Sequence, residues 1–111
     1  MPTVMCYTNL SSDQVPEDFE SWTTDLVAGV LDNPAKFVSV IVVPNARMLR
    51  LEDPSPMMLV QIHAIGAFDK ERNPGYTQKL NKSIREKLNL PAKRVILHYF
   101  HVEQHMVGYV D

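Results

Sequence analysis

The chain has 111 residues, 45% of them hydrophobic and 22% charged, and its 11 lysines and arginines against 13 aspartates and glutamates leave a formal net charge of −2. Such usage fits one folded domain over residues 1–111; it excludes a disordered or fibrous chain, and the scattered basic residues offer neither a nucleic-acid footprint nor a polybasic membrane patch. Cys6 is the only cysteine, so no internal disulfide can form, and no apolar run approaches the roughly 20 residues of a spanning helix. The start lacks the basic and apolar regions of a signal peptide, so the expected location is cytoplasmic, or secreted by a route that needs no such signal.

Thr3 to Thr8 reads as a first strand. Val15, Phe19, Trp22, Leu26 and Val30 then recur at spacings of three and four, the signature of an apolar helix face, which predicts a helix from about Pro16 to Leu31 with Phe19, Trp22 and Leu26 in the core. Proline suits the first turn because its missing N–H would have no intrahelical partner, and Glu17, Asp18 and Glu20 complement the positive end of the helix dipole. Asn33-Pro34 ends it. Phe37 to Val43 is rich in β-branched residues and too short for a helix, so it is a second strand, with Val38, Val40 and Val42 on one face and Phe37, Ile41 and Val43 on the other.

Pro44 to Pro56 is the long connection. The plan then repeats: a strand at Met58 to Ile65, a helix from about Asn73 to Leu88 carrying Tyr76, Leu80, Ile84 and Leu88, a strand at Val95 to Val102, and room for a short edge strand at Met106 to Val110. An offset of 57 lays Pro34-Ala35-Lys36 on Pro91-Ala92-Lys93, Phe19 on Tyr76, Val27 on Ile84, Leu31 on Leu88, Val38 on Val95 and Tyr7 on Ala64 without a gap. Two strand–helix–strand units with right-handed crossovers predict an α/β (α+β) fold, a four-stranded mixed sheet with both helices on one face. The other sheet face also carries apolar residues, and the economical cover for it is another copy of the chain.

Met1-Pro2, Thr8-Asn9-Leu10, Val15-Pro16, Asn33-Pro34, Val42-Val43-Pro44, Ala64-Ile65-Gly66, Asn73, Leu88, Arg94-Val95 and Val107-Gly108-Tyr109 follow one another in order and spacing across nearly the whole chain. In this succession the sequence resembles the family of macrophage migration inhibitory factor and D-dopachrome tautomerase. The resemblance implies a homotrimer with active sites between subunits and a cofactor-independent keto–enol tautomerase, an isomerase acting on phenylpyruvate-like or dopachrome-like enols, keto acids or aromatic compounds. Pro2 would be the general base once Met1 is removed, since an α-amino group titrates near pH 8 and can be tuned toward neutrality. Asn33, Phe37, Ala64, Ile65, Ile96, His98, Val107 and Tyr109 would form the substrate pocket. The resemblance equally allows a cytokine-like trimer that binds a cell-surface receptor and has let catalysis decay.

Several positions depart from the family pattern. Asn33 stands where active members carry a lysine, Ile96 where the macrophage factor branch has a tyrosine, His98 where it has an asparagine, and Tyr109 where a tryptophan is usual; the sequence ends at Asp111 without the tail that helps close the pocket in relatives. Met57-Met58-Leu59-Val60 replaces the cysteine pair of the redox motif. These changes predict weak or altered tautomerase activity in a more open pocket, with His98 of a neighbouring subunit, Lys36 or Arg94 reaching the mouth to supply the lost charge. No metal site is expected, because His98 and His101 are an odd number apart on a strand and face opposite ways. His63 reads as an ordinary sheet residue, Cys6 as a buried inert thiol, and Lys79, Lys82, Arg85 and Lys87 as a solvated helix face.

Overall fold

A computed structural model describes residues 1–110. Its elements are β1 (Thr3–Thr8), α1 (Phe19–Leu31), β2 (Ser39–Val43), β3 (Met58–Ala64), α2 (Asn73–Leu88) and β4 (Val95–His101). The sheet order is β2-β1-β3-β4; β1 runs parallel to β2, β3 parallel to β4, and the two pairs meet antiparallel along β1 and β3. Each strand–helix–strand unit thus supplies one parallel pair, and both helices lie on the same face, as the doubled pattern requires.

That covered face holds the core. Val4 and Cys6 of β1, Met58, Val60, Ile62 and Ala64 of β3, Phe19, Val27 and Leu31 of α1, and Leu80 and Ile84 of α2 form one buried cluster, with Val38, Val40, Val42, Leu97 and Tyr99 packed at its margins. The most buried stripe of α1 is Phe19, Thr23, Val27 and Leu31, one position on from the expected Trp22, Leu26 and Val30, which are only partly buried. The reason is that α1 has two neighbours. One side lies on the sheet, while Trp22 stacks on Phe19 and takes Lys87 of α2 over its ring, 5.3 Å from the centroid.

Helix α1 begins three residues later than expected. Phe19 N–H bonds the Pro16 carbonyl at 3.0 Å, an i to i−3 turn, before the regular ladder opens with Trp22 N–H on Asp18. Both helices end alike: Asp32 and Asn89 take left-handed conformations with φ of 55° and 56°, and each is followed by a proline-led 3-10 turn, Ala35–Phe37 and Ala92–Arg94. The first of these turns absorbs Phe37 and Val38, so β2 is shorter than expected. Every one of these pairs keeps the offset of 57. The first strands do not, because the buried residues of β1 (Val4, Cys6, Thr8) match those of β3 (Val60, Ile62, Ala64) at 56. An odd shift would turn every side chain of a strand to the other face. The two units therefore differ by one inserted residue between first strand and helix, and the gapless register is corrected accordingly.

After β4 the expected edge strand does not form. Val102 N–H still bonds Ala64 O at 2.9 Å, then Gln104–Met106 make a single 3-10 turn, and residues 107–110 run on without a sheet partner among the described residues. On the uncovered sheet face Ile41, Val43 and Phe100 are exposed, and His63 stacks flat on Phe100 with ring centroids 4.5 Å apart.

Candidate active site

Antiparallel pairing of β1 with β3 brings four chain segments to one end of the sheet: the start of β1, the turn before β2, the end of β3 and the tail beyond β4. Pro2 lies here, fully buried, and its carbonyl accepts a 2.9 Å bond from Ser39 N–H at the start of β2. Met1 lies above it. Together with Ile65, Gln104, Val107 and Tyr109, Met1 lines a hollow of about 420 Å³, within the range of small-molecule sites.

Each wall has a local cause. Ile65 follows the end of β3, and Gly66 turns the chain at φ +65°, a conformation that favours glycine. The Gly66 carbonyl accepts from Arg72 Nη2 at 3.1 Å, and Arg72 Nε is held 2.7 Å from Asp69 Oδ2. The backbone N–H and guanidinium of Arg72 keep the Asp69 carboxyl below the usual aspartate range. Opposite, Met106 N–H on Glu103 O and Val107 N–H on Gln104 O form the turn that carries Gln104, Val107 and Tyr109 over the hollow. Tyr109 remains 66% exposed.

The residues singled out from sequence do not all gather here. Ile65, Val107 and Tyr109 line the hollow with Met1; Ala64 is buried behind Ile65. Asn33 and Phe37 flank the turn that leads into β2 at the same end, where the Asn33 amide donates to Leu31 O at 3.1 Å and Lys36 Nζ sits 5.1 Å over the Phe37 ring. Ile96 and His98 are elsewhere. They line a second hollow of about 320 Å³ toward the other end of the sheet, with Leu49, Arg50, Leu51, Met57 and Leu59.

Arg94 is a correction. Expected near the mouth, it is 2% exposed at the far end, where Nε donates to Pro56 O (3.2 Å), Nη1 to Arg50 O (3.1 Å), and Nη2 to Asp53 O (3.1 Å) and Ser55 O (2.5 Å). Each of its three nitrogens is engaged on the loop from Pro44 to Pro56, which holds the group away from the first hollow. Gln104 was not foreseen. Only the turn after β4 reveals it, since a glutamine in a polar tail carries no distinctive spacing. Cys6 shares the buried face with Pro2, and burial, with a smaller effect of Glu20, pushes its thiol up to about 12, so it is no nucleophile near neutral pH.

A buried proline at the chain start, an apolar hollow beside it and two parallel pairs forming one mixed sheet invite comparison with known proteins. The profile of the family described as Macrophage migration inhibitory factor (MIF) matches residues 1–111. The chain belongs to the macrophage migration inhibitory factor family. It is 30% identical over 109 residues to the MIF-like protein mif-2 of Caenorhabditis elegans, covering 98% of this chain and 91% of that protein. It is 28% identical over the same length to macrophage migration inhibitory factor of Xenopus laevis, covering 98% and 95%. The solved structure of macrophage migration inhibitory factor from Trichinella spiralis superimposes with a TM-score of 0.91 at 26% identity, over 96% of this chain and 95% of that one. Within the family, then, this member keeps the fold. No helix among the described residues is long and apolar enough to cross a membrane.

Proposed function

We propose that the chain is a cofactor-independent keto–enol tautomerase, with Pro2 as general base after removal of Met1. The observation that carries this reading is that Met1 itself forms part of the hollow's wall above the buried Pro2 ring. Removing Met1 converts a tertiary amide, which has no basicity, into a secondary amine opening on an apolar cavity. Partial desolvation disfavours the ammonium form and draws the pKa from about 8 toward neutrality, where a base is most effective.

The reaction is a proton relocation. The Pro2 nitrogen takes a proton from the carbon beside a carbonyl, the C–H pair becomes the C=C of the enol, and the carbonyl π pair moves onto oxygen. The same nitrogen, or water, then delivers the proton to that oxygen; no electrons leave the substrate. The developing oxyanion requires a donor.

The site is completed by further copies of the chain in this reading. Exposed Ile41, Val43 and Phe100 on the uncovered sheet face support a homotrimer that buries this face. Ile96 and His98, remote from Pro2 in their own chain, then contribute to the hollow of a neighbour. The experiment is an intact-mass measurement paired with turnover of a phenylpyruvate-type enol. The Met-free protein should exceed the buffer rate, and Pro2→Gly should lower kcat/KM by at least about tenfold. A mass-verified free Pro2 with no rate above buffer removes the reading. A second reading, a cytokine-like trimer without catalysis, is favoured by one observation: the Asn33 amide is tied to its own helix end and offers the hollow no charge.

A further inference from the structure

We infer that the second hollow binds the carboxylate of an aryl or alkyl acid, with Arg50 as the group that grips it and His98 beside it. The walls are mostly apolar, Leu49, Leu51, Leu59 and Ile96 among them; the polar side chains in the lining are Arg50 and His98, and no carboxylate is present. At about 320 Å³ the hollow has room for a phenyl or short alkyl group. Arg50 is fixed in place. Its backbone N–H and carbonyl make reciprocal bonds with Asp53 at 3.1 and 3.0 Å, and the same carbonyl accepts from Arg94 Nη1 at 3.1 Å. Its Nε donates to Lys93 O at 3.3 Å, which leaves the two terminal nitrogens without a carboxylate partner among the described residues.

The free edge of a guanidinium matches the two oxygens of a carboxylate, and beside an apolar wall that pairing is less screened than in open water. His98 lies edge-on to Phe100 with ring centroids 6.4 Å apart, and its imidazole has an N–H to donate in either charge state. An acid can therefore lay its apolar part on the leucines and Ile96 while its head meets Arg50 and His98. For its place in catalysis the inference rests on the proposed site shared between copies. There the second hollow of one copy meets the Pro2 hollow of a neighbour, whose own lining brings no charged side chain. Arg50 and His98 then supply the charge that Asn33 does not, so that the acid is held with its carboxylate on one copy and its reacting carbon at Pro2 of the next.

The test uses the full chain, mass-verified as Met-free, and two matched probes that cannot tautomerise, 3-phenylpropanoate and its methyl ester, so that binding is read without turnover. Dissociation constants come from calorimetry near neutral pH, and the place of binding from NMR shifts of the Leu49, Leu51 and Ile96 methyl groups. The acid is expected to bind at least about fivefold tighter than the ester, and to weaken as salt is raised. Arg50→Met, which keeps the apolar stem, should weaken the acid about tenfold and the ester less than about twofold; Arg50→Lys, which keeps the charge without the fork, should recover part of the acid's affinity. Neither substitution removes the backbone bonds of the hairpin. An ester bound as tightly as the acid overturns the inference, as do an acid preference unchanged in Arg50→Met, an equal loss of both probes, or binding that leaves Ile96 and the two leucines unmoved. The proposed function fails separately. An acid that shifts Ile96 but neither Ile65 nor Val107 supports the inference and removes the shared site, whereas Arg50-dependent binding without turnover of a phenylpyruvate enol removes the tautomerase reading alone.

Discussion

The two hollows, at opposite ends of the sheet, share part of one plan. At the strand offset of 56, Met1 corresponds to Met57 and Pro2 to Met58; Met1 and Met57 each line their hollow while Pro2 and Met58 are each buried beneath. At the offset of 57, the tail at Val107 corresponds to the hairpin at Arg50. One scaffold thus produces two similar depressions and treats them oppositely. Around Met57 the loop is tied down by the buried Arg94 guanidinium, while around Met1 the tail is held by the 3-10 turn Gln104–Met106. What separates the two is therefore the anchor, a buried cation against a backbone turn.

The sharpest contrast is Arg94 against its counterpart Phe37, equivalent positions at the ends of the two 3-10 turns. Arg94→Ala removes a guanidinium with four carbonyl partners and orphans those that stay buried, so we expect a loss of about 3 to 5 kcal/mol in urea unfolding. Phe37 is 43% exposed, and Phe37→Ala in the monomeric state should cost no more than about 1 kcal/mol. Similar losses at the two positions would break the comparison.

Helix α2 supplies the next difference. Asn81 Nδ2 bonds Ala92 O at 2.8 Å and Val95 O at 3.0 Å, tying the helix to the turn before β4. Its counterpart Thr24 bonds only Glu20 O within its own helix. We expect Asn81→Ala to cost about 1 to 2 kcal/mol and Thr24→Ala about 0.5 or less. The hairpin at the far hollow offers a gain instead. Leu51 and Glu52 both have positive φ, at 53° and 60°, between the reciprocal backbone bonds of Arg50 and Asp53. That is the turn for which Asn-Gly is preferred, so the double replacement Leu51→Asn with Glu52→Gly should raise stability by about 1 kcal/mol. A loss of stability would mean that the leucine packs on something in the assembly.

Much of this was legible beforehand because it depends on periodicity and punctuation. The α2 boundaries follow from a clean run between Asn73 and Leu88, and the end of α1 at Leu31 from the stop at Asn33-Pro34. Sequence reasoning went astray where tertiary partners decide. The start of α1, the rotation of its buried stripe toward α2, and the one-residue slip in the first strand each depend on contacts that no local pattern encodes. Arg94 looks in sequence like any basic residue before a strand, yet it is bent back by a loop about 40 positions earlier. Pro2, Ile65, Val107 and Tyr109 were found through family resemblance, and the separation of Ile96 and His98 from them needs the strand order to be visible.

The smallest expected effects come from the two aspartates that brace the two hollows. Asp53 accepts from Ser55 N–H at 2.8 Å and faces Arg94 Nη1 at 3.9 Å; Asp69 accepts from the backbone N–H and the guanidinium of Arg72. In both, hydrogen bonds to the ionised form lower the folded-state pKa, chiefly that from Ser55 for Asp53 and those from Arg72 for Asp69. A depressed carboxyl pKa contributes stability that is present above the unfolded value of about 3.9 and is lost as pH falls through the folded value. Both side chains are well exposed, so the effect should be small and weakened by salt. The two should nevertheless differ in kind. Protonating Asp69 frees Arg72 and loosens the Gly66 turn, so NMR shifts at Ile65 should follow its titration, whereas Asp53 acts on a loop that Arg94 holds through carbonyls that do not titrate. An Ile65 shift that tracks Asp53 instead, or that persists in Asp69→Asn, would show that the two ends of the sheet are not independently braced.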